Sequence, residues 1–143
     1  MSKRELIAKN IIEVLKDARD PKPTFVTRES LDVENLSRAQ YPAIFVSTAG
    51  EERGPLSLLG NSGSRIATIT YNIVCYVTGS NIDTLRNDIV ERVEEALVAD
   101  VTRDSNAIDT QVVEVTVNND VEPPHGEVTV VVNVLYQYTR GQT

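Results

Sequence analysis

Few residues of this 143-residue chain have the chemistry or the spacing of a catalytic or metal site. His125 is the only histidine, and Pro124 and Gly126 beside it predict an exposed turn rather than a general base. Cys75 is the only cysteine and falls on the apolar side of a predicted strand, so we expect a small, unreactive core residue. One histidine and one cysteine so far apart do not make a zinc site. We therefore expect a protein without enzyme activity, metal or cofactor.

Three other sets of residues could suggest a ligand site, but each has a structural explanation. Glycines occur at positions 50, 54, 60 and 63. They lack the Gly-Lys-Ser/Thr sequence of a phosphate-binding loop, and a predicted strand rather than a helix follows them. Residues 118–120 lack the spacing and the closing glutamate of a calcium loop, so we interpret them as a turn. Glu91, Glu94 and Glu95 lie on the outer face of a predicted helix, where contact with solvent explains them.

Composition limits the classes of function further. The net charge of −7 and the pI near 4.7 argue against general binding to nucleic acid, which requires clustered Lys and Arg. An acidic surface suits a protein past which DNA slides without sticking. No apolar run approaches the roughly 18 residues of a membrane span, and the first residues lack a secretory signal, so we expect a cytosolic protein without membrane contact.

Helices and strands that would position these residues follow from the periodicity of apolar residues. The pattern predicts helices over about 3–18 and 82–99, and strands over 41–47, 66–77, 111–118 and 127–139. Ser2 and Glu5 form a predicted capping box, and Ser80 with Asp83 predicts the start of the second helix. Residues 24–28 are compatible with a short edge strand. The order α-β-β-α-β-β predicts a single α+β domain, a four-stranded mainly antiparallel sheet with both helices on one face.

The two faces of this sheet are predicted to differ. The helix-covered face takes the alternating apolar residues of the two long strands, and Val113, Val115 and Val117 are predicted to point inward as well. Polar residues with two apolar ones occupy the other face: Thr68, Thr70, Asn72, Glu114, Thr116, Thr129, Asn133 and Gln137, with Val131 and Leu135. Such a mixture fits subunit packing, and it equally fits a solvent-exposed sheet face.

A long connection over residues 48–65 separates the first two predicted strands. It holds three leucines among charged residues: Leu56, Leu58 and Leu59, with Glu51, Glu52, Arg53 and Arg65. Connections of this length in compact domains are often functional or ordered by a partner, so we predict a partner-binding loop. The alternative is a loop folded back over its own domain. Arg140 follows the last strand and either contacts a neighbouring subunit or belongs to a solvated tail.

Several of these stretches together carry a resemblance to a known family. They are the capped first helix, Tyr41-Pro42-Ala43-Ile44-Phe45-Val46, the long loop, Ile69-Thr70-Tyr71-Asn72-Ile73-Val74-Cys75-Tyr76, a helix running from Asp83-Thr84-Leu85 to Glu95-Ala96-Leu97, the strand around 113–117, and the closing Tyr136-Gln137-Tyr138. Their order resembles that of the tail terminator, or tail completion, proteins of long-tailed bacteriophages. The resemblance covers nearly the whole chain and rests on patterns rather than on signature motifs.

The resemblance implies a structural protein of the virion, assembled in the host cytoplasm and located in the tail and neck. Such a protein forms a ring, typically a homohexamer, that caps the head-proximal end of the tail tube, stops its polymerisation and offers a surface to head-completion or neck proteins. DNA passes through the lumen without specific binding. The 48–65 loop would reach a tube or neck partner, with its leucines buried on docking. In a contractile tail a sheath subunit is a further partner.

A function from another class fits the same predicted fold. Two helices over a four-stranded sheet also occur in ferredoxin-like regulatory modules, which bind a small metabolite as dimers. A dimer that stays a dimer in the presence of tail tube would favour this alternative, whereas a ring would favour the tail terminator.

Overall fold

The structure is a computed structural model that describes residues 2–29, 36–54, 64–121 and 123–139. Its elements, in chain order, are α1 (Lys3–Lys16), β1 (Phe25–Thr27), a 3-10 turn (Arg38–Gln40), β2 (Ala43–Arg53), β3 (Ser64–Thr78), α2 (Ile82–Val98), β4 (Asp109–Asn118) and β5 (His125–Thr139). The predicted α+β class with two helices is confirmed.

The strands form one mixed sheet in the order β1-β2-β3-β5-β4. The three-residue β1 pairs parallel to β2, and the other neighbours are antiparallel. The prediction of four strands in the order α-β-β-α-β-β is therefore wrong, because residues 25–27 add a fifth strand at one edge. So short a strand carries little periodic signal, and it exists because β2 offers it a pairing edge.

The first helix starts where the sequence predicts, but only one of the two hydrogen bonds of the predicted capping box forms. The Ser2 hydroxyl accepts a hydrogen bond from the Glu5 backbone N–H at 3.2 Å. The Glu5 carboxylate does not complete a capping box; it pairs with both terminal nitrogens of Arg28, at 2.7 and 3.1 Å. This pairing lowers the pKa of Glu5, to which the charge of Lys9 adds a smaller effect. It ties α1 to the chain that leaves β1.

The second helix begins at Ile82, as the predicted range 82–99 has it, but its N-cap is Asn81 and not the predicted Ser80. Its buried stripe is Ile89, Val93 and Leu97. With a similar stripe from α1, these residues form one core with alternate residues of the central strands. The sheet contributes Ile44, Val46, Ala67, Ile69, Tyr71, Ile73, Cys75, Val77, Val128, Val130, Val132, Val134, Tyr136 and Tyr138. Both helices therefore cover the same face of the sheet.

The connection predicted over residues 48–65 is shorter in the structure. β2 continues to Arg53 and β3 begins at Ser64, so that Arg53 pairs with Ala67 across a long hairpin. The sequence pattern does not predict this extension, because the polar residues after Ser47 do not alternate with apolar ones. A register shift between Thr48 and Gly50 interrupts the pairing and reinforces the irregular appearance of the sequence.

Candidate assembly surfaces

The described residues among the predicted partner sites gather at one end of the sheet. Arg53 ends β2, and Arg65 lies in β3 opposite Tyr138 of β5. Leu56, Leu58, Leu59 and Arg140 lie outside the described residues. The residues that flank them are nevertheless neighbours, because Ser64 pairs with Thr139 and Gly54 donates a backbone hydrogen bond to Ile66 at 3.0 Å. The hairpin and the chain after β5 thus leave the sheet at the same end.

Glu51 anchors this end to the rest of the fold. Its side chain is only 8% exposed. Arg4 Nε of α1 lies 2.8 Å from Glu51 Oε1, an ionic contact, since that oxygen accepts no aligned hydrogen bond. Arg53 binds the other carboxylate oxygen, and the Tyr136 hydroxyl donates to the same oxygen at 3.1 Å. One carboxylate therefore links β2 with α1 and β5.

Two tyrosines complete this cluster, which we call the Glu51 cluster: Arg4, Glu51, Arg53, Tyr136 and Tyr138. Burial, with a further contribution from the Glu51 charge, raises the pKa of Tyr136 to about 12. Its hydroxyl therefore stays protonated and able to donate at neutral pH. The Arg53 guanidinium lies over the Tyr138 ring, 4.5 Å from its centroid. Glu52, by contrast, is exposed.

The face of the sheet opposite the helices is partly open. Side chains of intermediate exposure cover its centre: Thr68, Thr70, Asn72, Val74, Tyr76, Thr129, Val131, Asn133, Leu135 and Gln137. The Thr70 hydroxyl donates to Asn133 Oδ1 at 2.9 Å across the β3–β5 pair, which pairs polar groups within the face itself. This face matches the predicted mixture of polar and apolar residues.

A second open surface, the α2/β4 groove, lies between α2 and the edge strand β4. It encloses about 450 Å³. Apolar side chains of Val90, Val98, Val115, Val117 and Val128 line it, with Arg86, Asn87, Glu91, Glu94 and Glu95. The prediction that the valines of this strand point into the core is wrong. Val113, Val115 and Val117 are 49%, 45% and 41% exposed: Val113 lies at the bulge between Val112 and Glu114, and Val115 and Val117 lie on the helix side of the sheet but beyond the cover of α2.

Arg103 is the buried polar residue that sequence reasoning missed. Its side chain is fully buried and its guanidinium donates to the backbone oxygens of Leu97 and Asp100. Burial lowers the pKa of Arg103. An arginine in the turn that follows a helix is the signal that could have found it, since the last carbonyl groups of a helix need donors. Arg103 caps α2 and does not line the open surfaces described above.

The two residues with the most reactive side chains occupy structural positions. Cys75 is buried, and burial raises the pKa of its thiol to about 12, so the thiolate is disfavoured. His125 is exposed at the start of β5 and stacks on Tyr41, with ring centroids 5.5 Å apart. Both positions agree with the predictions for these residues.

The described part of the chain shows neither a metal-binding cluster nor a membrane-spanning helix. Residues 2–29, 36–54, 64–121 and 123–139 contain no group of three or more His, Cys, Asp or Glu placed to hold a metal ion. Neither helix in those ranges has the length and the apolar character needed to cross a membrane.

Comparison with known proteins leaves the family of this chain open. No protein-family model matches its sequence, and no curated protein matches it either.

Proposed function

We propose that this chain is a structural virion protein that forms a ring on the head-proximal end of a phage tail tube. There it ends tail polymerisation and joins the tail to the head or neck. The proposal begins from the resemblance to tail terminator proteins. One structural observation supports it most: Glu51, Glu52, Arg53 and Arg65, the described residues predicted to meet partners, lie at one end of the sheet, where Thr139 of β5 pairs with Ser64 of β3.

This convergence is what a protein needs to contact a partner stacked above or below it. Gly54, Ser64 and Thr139 flank the hairpin residues 55–63 and the chain after 139, and they lie side by side. The Glu51 cluster fixes the same end to α1 and β5. A docking segment held on a rigid base loses less conformational entropy when it binds.

The partly open sheet face gives further support. Both helices cover the other face, so the mixed polar and apolar face is available to a neighbour. Interfaces that form from separately folded subunits have this composition. The excess of acidic residues, 21 Asp and Glu against 14 Lys and Arg, suits a ring through which DNA passes without binding.

Electron microscopy of assembling tails tests the proposal directly. Tail tube protein polymerised with this chain is expected to give tubes that end in a ring at one tip. An antibody against the chain should label the junction of head and tail in whole particles. Label along the tube, or tubes of unchanged length without a ring, would refute the proposal.

The hairpin has its own test. Replacing Leu56, Leu58 and Leu59 by serine should abolish the joining of tails to heads while the thermal unfolding of the purified protein stays unchanged. Leu6→Ser is the matched control, because Leu6 is a 36% exposed leucine on α1 and not part of the 48–65 connection. Normal joining by the triple variant would mean that the hairpin is not the docking element.

The metabolite-binding module remains the competing function. It predicts a dimer whose mass in solution does not change when tail tube is added. That result, together with unlabelled particles, would favour the regulatory module over the ring.

A further inference from the structure

The two lateral edges of the sheet differ in chemistry. Strands β1 and β4 lie at opposite ends of the order β1-β2-β3-β5-β4, and within the described residues no further strand pairs with the outer side of either. An open strand edge presents unpaired backbone N–H and C=O groups and so favours pairing with another chain. What each edge would meet follows from its side chains.

The β4 edge is apolar with an acidic border. Val115 and Val117 are 45% and 41% exposed on the helix side of the sheet, where they line the α2/β4 groove. Glu91 and Glu94 of α2 are exposed at the same groove. The strand carries neither lysine nor proline, the residues that commonly protect an edge from association. An occupant of this edge therefore needs apolar side chains and positive charge.

The β1 edge carries that combination. Val26 is half-buried against the core on the helix side of the sheet, and Phe25 is 36% exposed on the opposite side. Arg28 follows the strand and joins it to α1 through Glu5, close to the charge of Lys9. Lys9 and Arg28 are exposed, as the β4 edge would require.

The charge of the whole chain divides in the same way. Residues 3–28, which form α1 and β1, contain seven basic and four acidic residues. Residues 82–118, which form α2 and β4, contain three basic and nine acidic residues. α1 packs beside β1 and α2 beside β4, so one side of the subunit is positive and the other negative. Two copies that joined β4 to β4 would bring acidic borders together, whereas β4 to β1 brings opposite charges together.

We propose that the β4 edge and the α2/β4 groove of one copy bind the β1 edge of the next copy. This inference rests on the proposed ring and assigns its subunit contacts. Contacts between two different surfaces repeat from copy to copy and close into a ring when the rotation permits, so no free edge remains. The sheet would then continue from subunit to subunit, with Val26 of one copy on the same side as Val115 and Val117 of the next.

Engineered cysteines test this contact because the native thiol of Cys75 is not accessible to a cross-linker. Cys75 is fully buried, so the parent chain provides the background. Phe25→Cys and Thr116→Cys, both at exposed positions on the sheet face opposite the helices, are made singly and together, and each protein is treated with a short bis-maleimide. The double variant should give a ladder of cross-linked oligomers. A mixture of the two single variants should stop at a dimer that contains one copy of each, and either single variant alone should stay uncross-linked.

Each other outcome contradicts the proposal in a recognisable way. Dimers of Thr116→Cys alone would show that β4 pairs with itself. Cross-linking of Ser80→Cys, an exposed control in the turn between β3 and α2 and outside both edge strands and the groove lining, at the same yield would show random collision. Absence of any ladder at high protein concentration would overturn the edge contact. Raising the salt concentration should reduce the yield, since opposite charges at exposed positions are screened; a yield independent of salt would contradict the charge argument.

Failure of this contact and failure of the proposed function are separable. If a protein that gives no ladder still caps tubes, the proposed tail function stands and the edge contact is rejected. If the protein gives a ladder but does not cap tubes, the edge contact stands and the proposed tail function is rejected.

Discussion

Strands β4 and β5 are neighbours with similar sequences and opposite environments. Val130 of β5 is fully buried, and its paired residue Val115 of β4 is 45% exposed on the same side of the sheet. Val128 and Val117 form a second such pair, at 1% and 41%. Alternation of valines tells which side of a sheet a residue occupies. It does not tell whether a helix covers that residue.

The position of α2 decides the difference. Ile89, Val93 and Leu97 join the core with the β5 valines, so that β4 extends beyond the cover of the helix. An isolated globule would gain stability by covering these valines, because burial of one valine contributes about 1.5–3 kcal/mol. Their exposure in the subunit is therefore a reason to expect that another copy covers them.

The same substitution in the two strands measures this difference directly. Val130→Asp places an unpaired carboxylate in the core and should destabilise the fold by about 3–5 kcal/mol. Val115→Asp should cost less than about 1 kcal/mol, since the carboxylate stays hydrated at an edge. Urea unfolding monitored by circular dichroism, at low protein concentration, gives both values. Equal losses would mean that the groove is closed in solution and that the comparison is wrong.

Sequence reasoning succeeded where a strand is covered on one side along its whole length. It predicted the start of α1 at Lys3 and the end of β5 at Thr139, and the burial of Cys75, Tyr136 and Tyr138. In these elements local periodicity and tertiary packing agree.

It failed where a partner distant in the sequence decides the structure. The extension of β2 depends on pairing of Arg53 with Ala67 and on the burial of Glu51 against α1 and β5, none of which leaves a periodic pattern. Arg103 is buried because the end of α2 needs donors. The edge strand that residues 24–28 allowed does form, as Phe25–Thr27, but its pairing with β2 leaves no pattern in the sequence. For the candidate site, the sequence predicted which residues meet a partner. Only the strand register shows that the β2–β3 hairpin and β5 end at the same end of the sheet.

Buried tyrosines on the helix-covered face should make stability fall at high pH. Burial raises the pKa of Tyr71 and of Tyr136 to about 12, from about 10 in the unfolded chain. A group whose pKa is higher in the folded state gives its full stabilisation below pH 10 and loses it as the pH rises towards 12. We expect Tyr136 to account for about 1–2 kcal/mol of that loss, because solvent near the Glu51 cluster screens part of the effect.

The matched variant isolates this effect. Tyr136→Phe removes the ionisable group, so its stability should fall less than that of the parent chain between pH 10 and pH 12. Urea unfolding at several pH values measures the difference, and ultraviolet titration of phenolate should show the late ionisation. Parallel stability curves for the two proteins would show that Tyr136 is accessible to water and that the Glu51 cluster is open.

The smallest expected effect compares two adjacent glutamates at the end of β2. Glu51→Gln keeps the shape of the side chain and lets Tyr136 still donate a hydrogen bond, but it removes the charge that attracts Arg4 and Arg53. Both arginines are close to half exposed and can be rehydrated, so the loss should be about 1 kcal/mol. Glu52→Gln changes an exposed neighbour and should stay within about 0.5 kcal/mol of the parent. Limited proteolysis of the hairpin should follow the same order, with faster cleavage of Glu51→Gln, because the Glu51 cluster holds β2 to α1 and β5. If both variants are cleaved at the parent rate, backbone pairing alone fixes the hairpin and the cluster has no part in presenting it.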